Sequence, residues 1–298
     1  MNGANLRYIL ITAAKNEAQH IELTIKSVIN QTILPLKWVI VNDGSTDDTG
    51  NIISYYAERF DWILPVNLPP SDERHFGRKA VAFNIGYEKV KHHEFEIIGN
   101  LDADISFNKD YFEFLLSKFA ENPGLGVAGT PFREGNYQYD YRFSRKEHVS
   151  GACQLFRKEC FEEIGGYQPR KEGGVDLAAV VMARMKGWRT ETFPEKYCIH
   201  NRPMGKASPH FIKYTFKSGY GDYQFGVHPA WQILRCLYQM THRPYFVSGL
   251  LLLTGFLWAM LTRAPWSISE EFTKFRRMEQ VNWLKEYTRK IKRKLHLY

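Results

Sequence analysis

Glu96-Ile97-Ile98-Gly99-Asn100-Leu101-Asp102-Ala103-Asp104 is the stretch on which the fold turns. Its short apolar run reads as a buried strand, and the strand ends in two carboxylates one residue apart. In an extended chain, residues two apart point the same way, so Asp102 and Asp104 leave the strand toward one site. Hard oxygen ligands in this arrangement suit Mg2+ or Mn2+ held jointly with a diphosphate. The same pattern also occurs as a solvated acidic turn, so the surrounding sequence has to decide.

Upstream, the same grammar recurs. Tyr8–Ala14 reads as a buried strand, and Ile21, Ile25, Val28 and Ile29 follow at helical spacing. Trp38-Val39-Ile40-Val41 is a second strand, Asn42-Asp43-Gly44-Ser45 the turn after it, and Ile52, Ile53, Tyr56 and Phe60 mark a second helix. A third helix is expected over 80–90, and after the acidic pair Phe112, Leu115, Leu116 and Phe119 form an apolar helix face stopped by Asn122-Pro123-Gly124. Strands alternating with helices predict an α/β fold, in which ligands bind beyond the carboxyl ends of the strands. Asp43 is then placed to accept from a nucleobase N–H, while Asp47 or Asp48 reads as a cap for the next helix.

The second half is less regular. Residues 131–150 are aromatic and charged without a clear period, predicting a long surface segment beside a site. Residues 153–156 read as a strand and 176–186 as a helix closed by Gly187.

Taken together, several motifs resemble family 2 glycosyltransferases of the GT-A fold. They are Thr12-Ala13-Ala14-Lys15-Asn16-Glu17, Val41-Asn42-Asp43-Gly44-Ser45-Thr46-Asp47, Arg78-Lys79 ahead of Asn84-Ile85-Gly86, Leu101-Asp102-Ala103-Asp104, and Ile164-Gly165-Gly166-Tyr167 followed by Asp176. The resemblance covers roughly residues 6–205. It implies a mixed, mainly parallel sheet flanked by helices, and a nucleotide-diphosphate sugar as donor. It further implies that Thr12, Ala14, Asn16, Glu17, Asp43, Arg78, Lys79 and Asp102 hold the donor nucleotide. Asp102, Asp104 and His200 would hold Mn2+ or Mg2+, Arg202 and Lys206 would face the diphosphate, and Asp176 would be the catalytic base.

A base on the face opposite the departing diphosphate is what inverting transfer needs. The family usually has Glu-Asp where this chain has Val175-Asp176, and an N-cap is the alternative role for Asp176. His200 also reads as an ordinary structural histidine. The processive synthases of the family carry Q-x-x-R-W after the base; Asn201-Arg202-Pro203-Met204 stands here, which favours transfer of a single sugar. By resemblance Gly151-Ala152-Cys153-Gln154-Leu155-Phe156-Arg157 lines the acceptor side, with Leu155 and Phe156 read as core. A nucleotidyltransferase would need a phosphate-cradling glycine loop near the first strand, and Ala13-Ala14-Lys15-Asn16-Glu17 is not one. A non-catalytic scaffold of the same fold would not need Asp102, Asp104 and Asp176 together.

Composition agrees with a folded chain. Hydrophobic residues make up 44% and charged residues 24% of the 298, which excludes disordered and low-complexity classes. The four cysteines show no C-x-x-C spacing, so neither a disulfide framework nor a structural zinc is expected. Residues 264–298 carry nine basic and four acidic side chains. A basic tail points to an anionic surface, and no nucleic-acid stripe runs along the body. The uncharged segment 244–262 lies between Arg243 and Arg263, at the lower limit for a membrane span. Val281, Leu284, Thr288, Ile291 and Leu295 predict a basic amphipathic helix over 281–298. The expected organisation is a catalytic domain over 1–230 and a membrane-associated helical tail over 231–298. The first apolar run is too brief for a secretory signal. The expected place is therefore the cytoplasmic face of a membrane, acting on a membrane-borne acceptor.

Overall fold

Trp38 and Ile40 point to one face of their strand, Val39 and Val41 to the other, and all four are completely buried. A strand with no polar face needs cover on both sides, the condition of a parallel sheet between two helical layers. The computed structural model describes residues 6–70, 77–134, 145–170, 173–202 and 211–294, in two compact units, Met1–Met204 and Gly205–Tyr298. The unit boundary lies earlier in the chain than residue 230.

The first unit has ten strands and six helices among its described residues. The strands are β1 (Tyr8–Ala14), β2 (Lys37–Asp43), β3 (Ile63–Leu68), β4 (Ile97–Leu101), β5 (Ile105–Ser106), β6 (Leu125–Gly129), β7 (Phe132–Arg133), β8 (Cys153–Arg157), β9 (Arg189–Thr192) and β10 (Cys198–His200). The main sheet has the order β3-β2-β1-β4-β8-β6-β9. Its pairs are parallel except for those of β8, which runs antiparallel to both β4 and β6. A smaller sheet has the order β5-β10-β7.

Helices α1 (Ile21–Ile29), α2 (Thr49–Ala57) and α4 (Tyr111–Glu121) cover one face through Ile25, Ile53 and Phe112. Helices α3 (Gly77–Val90), α5 (Lys158–Glu163) and α6 (Val175–Met185) cover the other through Phe83, Phe161 and Val180. Fully buried side chains such as Phe112 and Phe156 each stabilise the fold by ~1.5–3 kcal/mol relative to exposure.

Two pairings position the chemistry. Because β8 is antiparallel to β4, its beginning lies beside the end of β4, with Cys153 opposite Leu101. Asp102 N–H donates to the Ala152 carbonyl at 2.9 Å, and the Asn100 amide donates to the Gly151 carbonyl at 2.9 Å. In the smaller sheet His200 pairs with Ile105, and Asn201 N–H donates to the Asp104 carbonyl at 2.8 Å. A segment nearly one hundred residues downstream is thereby laid against the acidic pair.

Most expected elements of the first half are present, with shifts at their ends. Asn42 and Asp43 belong to β2 and not to the turn, because they continue its ladder to Asn67 and Leu68. The turn itself is Gly44 at φ +64°, packed so closely on Pro69 and Pro70 that only glycine fits. Asp48 precedes α2 without capping it through its side chain; Asp47 accepts from Thr49 N–H at 3.1 Å instead. The segment 131–150 is not wholly superficial: Phe132 and Val149 are buried, and residues 135–144 lie outside the described ones.

The second unit consists of α7 (Phe211–Gln224), α8 (Pro229–Met240), α9 (Val247–Leu261) and α10 (Glu270–Lys294). Helix α8 opens with proline at its first position and is capped by His228, whose Nδ1 accepts from Ala230 N–H at 3.2 Å. Glycines bring backbones into contact: a Cβ on Gly255 would lie 2.1 Å from the Phe216 carbonyl of α7, and one on Gly249 2.3 Å from the Cys236 carbonyl of α8. No helix among the described residues is long and apolar enough to cross a membrane. The expected helix over 281–298 is the latter part of α10, which starts at Glu270; Leu295 lies outside the described residues.

Candidate active site

Strands β1, β2 and β4 end together, and their following loops form the floor of the candidate site. The loop after β1 is stapled to the loop after β2. Asn16, at φ +55°, accepts from Thr46 N–H through its side-chain oxygen at 2.8 Å, and its own N–H donates to Ser45 Oγ at 3.0 Å. Glu17 N–H donates to Thr49 Oγ1 at 2.8 Å, and Ala18 N–H donates to Asp47 at 3.1 Å. Asparagine tolerates the left-handed conformation better than most residues, which suits Asn16 to this turn.

Thr12 does not reach this floor. It is fully buried, and its hydroxyl accepts from the Trp38 indole at 3.0 Å. Its place in the strand's alternation puts its side chain in the core with Tyr8 and Leu10, where it makes a structural bond, so of Thr12 only the backbone is left for the expected nucleotide contact. Ala14 is likewise buried and can offer only backbone.

Asp43 is nearly buried and paired with Arg78 at the start of α3: Arg78 Nε donates to Oδ2 at 3.0 Å, and a second guanidinium nitrogen donates to Oδ1. A carboxylate has about four lone-pair positions, so this bidentate pair leaves acceptor capacity for a ligand N–H. One residue on, Lys79 pairs with Asp102. Burial pushes the Asp102 carboxyl above the usual range, with Asp104 and Asp176 adding to the rise and Lys79 opposing it. Burial acts against the Lys79 ammonium, but Asp102 outweighs it and holds the ammonium above its ordinary value.

Glu17, Asp104, His200 and Arg202 form the adjoining cluster. Arg202 pairs with Glu17 and lies 3.5 Å from Asp104 Oδ2. Burial raises the Glu17 carboxyl, Arg202 lowers it, and Asp104 and Asp102 raise it further, for a net upward displacement. His200 Nε2 is 3.6 Å from Asp104 Oδ2, and its Nδ1 is 2.5 Å from the Arg202 carbonyl oxygen. A carbonyl can only accept, so Nδ1 carries a proton, and Nε2 is the ring atom turned toward Asp104. An imidazole fixed this way beside a carboxylate fits a divalent cation. Of the expected trio, the structure joins Asp104 to His200 and commits Asp102 to Lys79; among the described residues no group of three His, Cys, Asp or Glu is close enough to hold a metal. The residues present fit Mn2+ or Mg2+ as a partial donor set to be completed by diphosphate oxygens.

Asp176 lies in the first turn of α6, after Gly173 and Gly174 at φ +88° and +70°. It is half-buried and within electrostatic reach of Lys79 and Asp102. Gly174, not Asp176, occupies the N-cap position. Tyr167, Gln154 and Gly151 support it; the sequence placed Gly151 and Gln154 on the acceptor side by resemblance and Tyr167 in a shared motif, without tying any of them to Asp176. Tyr167 donates to the Gln154 side-chain oxygen at 2.6 Å, and the Gln154 amide donates to the Val149 carbonyl at 2.9 Å and reaches the Asp176 carbonyl at 3.5 Å. The paired glycines before Asp176 were the available signal for a tight entry into this helix. Lys206 and Glu172 lie outside the described residues. A separate groove of about 600 Å3 between α3 and α5, lined by Asn84, Tyr87, Lys91 and Phe161, includes none of the expected site residues.

Residues 9–173 match Glycosyl transferase family 2. More than half of the chain is covered, and the chain belongs to that family. Poly-beta-1,6-N-acetyl-D-glucosamine synthase of Staphylococcus aureus (strain COL) is 25% identical over 208 residues, 63% of this chain and 48% of that protein. The Staphylococcus epidermidis protein of the same name is 33% identical over 175 residues, 52% of this chain and 40% of its own length. The chain thus spans about half the length of the curated relatives it matches.

Among solved structures, the mannosyltransferase PcManGT from Pyrobaculum calidifontis, in complex with GDP-Man and Mn2+, superimposes with a TM-score of 0.62 at 18% identity, over 87% of this chain and 88% of that one. Staphylococcus aureus TarS 1-349 in complex with UDP-GlcNAc gives 0.55 at 14% identity, over 86% and 73%. These likenesses establish a GT-A-like fold: mixed α/β, with a mainly parallel sheet flanked by helices.

Proposed function

We propose that the chain is an inverting, divalent-cation-dependent glycosyltransferase that moves one sugar from a nucleoside-diphosphate sugar to a hydroxyl of a membrane-borne, lipid-linked acceptor at the cytoplasmic face. The observation that carries this reading is the meeting of Asp43–Arg78, Lys79–Asp102 and Asp104–His200 with Asp176 around the ends of β2 and β4.

Asp43, oriented by Arg78, accepts from the nucleobase. Asp102 binds the ribose, and Lys79 and Arg202, which pair with Asp102 and Glu17, stabilise the diphosphate as it gains charge. A bound Mn2+ or Mg2+ supplies further electrostatic stabilisation of that leaving group. Asp176 takes the proton of the acceptor hydroxyl as the oxygen bonds to the anomeric carbon; the bond to the diphosphate breaks with its electron pair, and configuration inverts. Two curated relatives are polysaccharide synthases by name, and two structural neighbours hold GDP-Man or UDP-GlcNAc. Asn201-Arg202-Pro203-Met204 in place of the processive motif supports single transfer.

The test is a screen of nucleotide sugars with membrane lipid extract as acceptor. Release of nucleoside diphosphate coupled to glycolipid formation is expected. Release of pyrophosphate, or no turnover with any donor, would overturn the reading.

A further inference from the structure

The second unit exposes an apolar surface that its own helices do not cover. On α9 the inner face, with Gly249, Leu252, Gly255 and Ala259, is buried. The outer face, Val247, Leu250, Leu257, Trp258 and Leu261, is 39% to 75% exposed. With the exposed Thr254 between Leu250 and Leu257, these outer positions follow one another at helical spacing and form one stripe along the helix. Helix α8 adds Ile233, Leu234 and Leu237, all about half exposed. An exposed apolar stripe of this length marks an interaction surface.

Charge and length identify the occupant. No charged side chain stands between Arg243 and Arg263, and both arginines are exposed at the ends of the stripe. The exposed later part of α10 adds Lys285, Arg289, Lys290, Lys292 and Arg293. Stripe packed on stripe between two copies of the chain would set these cations against one another, whereas anionic headgroups complement them. The 15 residues of α9 span roughly 22 Å, short of the ~30 Å hydrocarbon layer. A helix with one buried face and one apolar face, bounded by cations, lies in the interface plane. Glycine-mediated backbone contacts of the kind joining α9 to α7 and α8 are also those that hold helices together in lipid.

We propose that the outer face of α9 seats in the headgroup and acyl boundary of an anionic bilayer, with Arg243 and Arg263 on lipid phosphates and the basic part of α10 on the same leaflet. This deepens the membrane-borne acceptor of the proposed function and rests on that reading only for its purpose.

The experiment is flotation of the full chain with vesicles of phosphatidylcholine alone or with ~30% phosphatidylserine. Wild type is expected to float with anionic vesicles at least ~10-fold better than with neutral ones, and to stay partly bound in ~1 M salt, because apolar burial survives screening. Leu250→Glu/Leu257→Glu should lower partitioning by ~30-fold or more, with an unchanged circular dichroism spectrum and unchanged donor hydrolysis. Arg243→Glu/Arg263→Glu should cut the preference for anionic lipid by ~10-fold or more, the basic part of α10 keeping the rest. Failure of wild type to float, equal flotation of the glutamate variant, or a dimer that this variant dissolves would overturn the proposal. Donor hydrolysis without flotation leaves the transferase reading standing, and flotation without turnover of any donor does the reverse.

Discussion

Gly151 and Asp176 touch so closely that a Cβ on the glycine would stand 2.5 Å from the aspartate Oδ2 and 2.9 Å from its Cβ and Cγ. No methyl group fits there unless the carboxylate moves. Gly151→Ala should therefore displace the proposed base while leaving the fold and the donor pocket in place. A misplacement of this order costs about 10²-fold in rate. The check is transfer rate against donor affinity: loss of both together, or of neither, contradicts the positioning.

Asp176→Asn keeps the size of the side chain and removes its proton-accepting charge. Transfer is expected to fall by roughly 10²- to 10⁴-fold with donor affinity nearly unchanged. A wild-type rate in this variant would move the base elsewhere, and Glu172 would be the next carboxylate to replace.

His200→Ala should weaken Mn2+ binding by ~10- to 100-fold, since the ring held by the Arg202 carbonyl loses its Nε2 donor. Asp104→Ala should abolish cation-stimulated turnover, a loss of ~10²-fold or more. Titration of Mn2+ by electron paramagnetic resonance measures the first and turnover in excess chelator the second. Full activity in chelator would exclude the cation from the reaction.

Glu17 and Asp102 are both displaced upward, chiefly by burial. In the folded state they take up protons at a higher pH than in the unfolded chain, so ionising them costs stability as pH rises through the folded values. Cation binding at Asp104 and His200 runs the other way, since ionised carboxylates beside the site favour the cation. Mn2+ affinity should decline on acidification before pH reaches ~4, the range of ordinary carboxylates. Glu17→Gln should shift that decline. Affinity that is flat down to the ordinary range would contradict the burial effect.

The donor half was legible because its strands lack a polar face and end in acids. Residues 8–14, 38–41 and 96–101 announce themselves as buried strands, and Asp43, Asp102 and Asp104 follow at once. β3 escaped because Pro65 interrupts it, which an edge strand tolerates. β6 escaped because Gly126 and Gly129 dilute its apolar character. Those glycines admit Trp188 and Val149, whose atoms would lie 2.6 Å from an added Cβ.

The candidate site was legible residue by residue but not in its pairings. Nothing local says that Lys79 rests on Asp102 or that Arg202 reaches Glu17, because both depend on how distant segments are laid together. Thr12 shows the opposite limit. Its motif places it near a nucleotide, yet strand alternation turns it inward to Trp38.

The reversed direction of β8 has a consequence for how this protein can diversify. Its rungs to β4 tie Gly151 to Asn100 and Ala152 to Asp102 through backbone and amide bonds. The span from the leaving group to the base is therefore measured by sheet rungs, a ruler that loop insertions on either side do not stretch. A loop lengthened beyond either end of these rungs should leave the distance from Asp102 to Gly151 unchanged. A single slipped rung would miss that distance by a whole residue. Selection can thus remodel the flanking loops freely, while the spacing of the proposed reacting groups is inherited with the sheet.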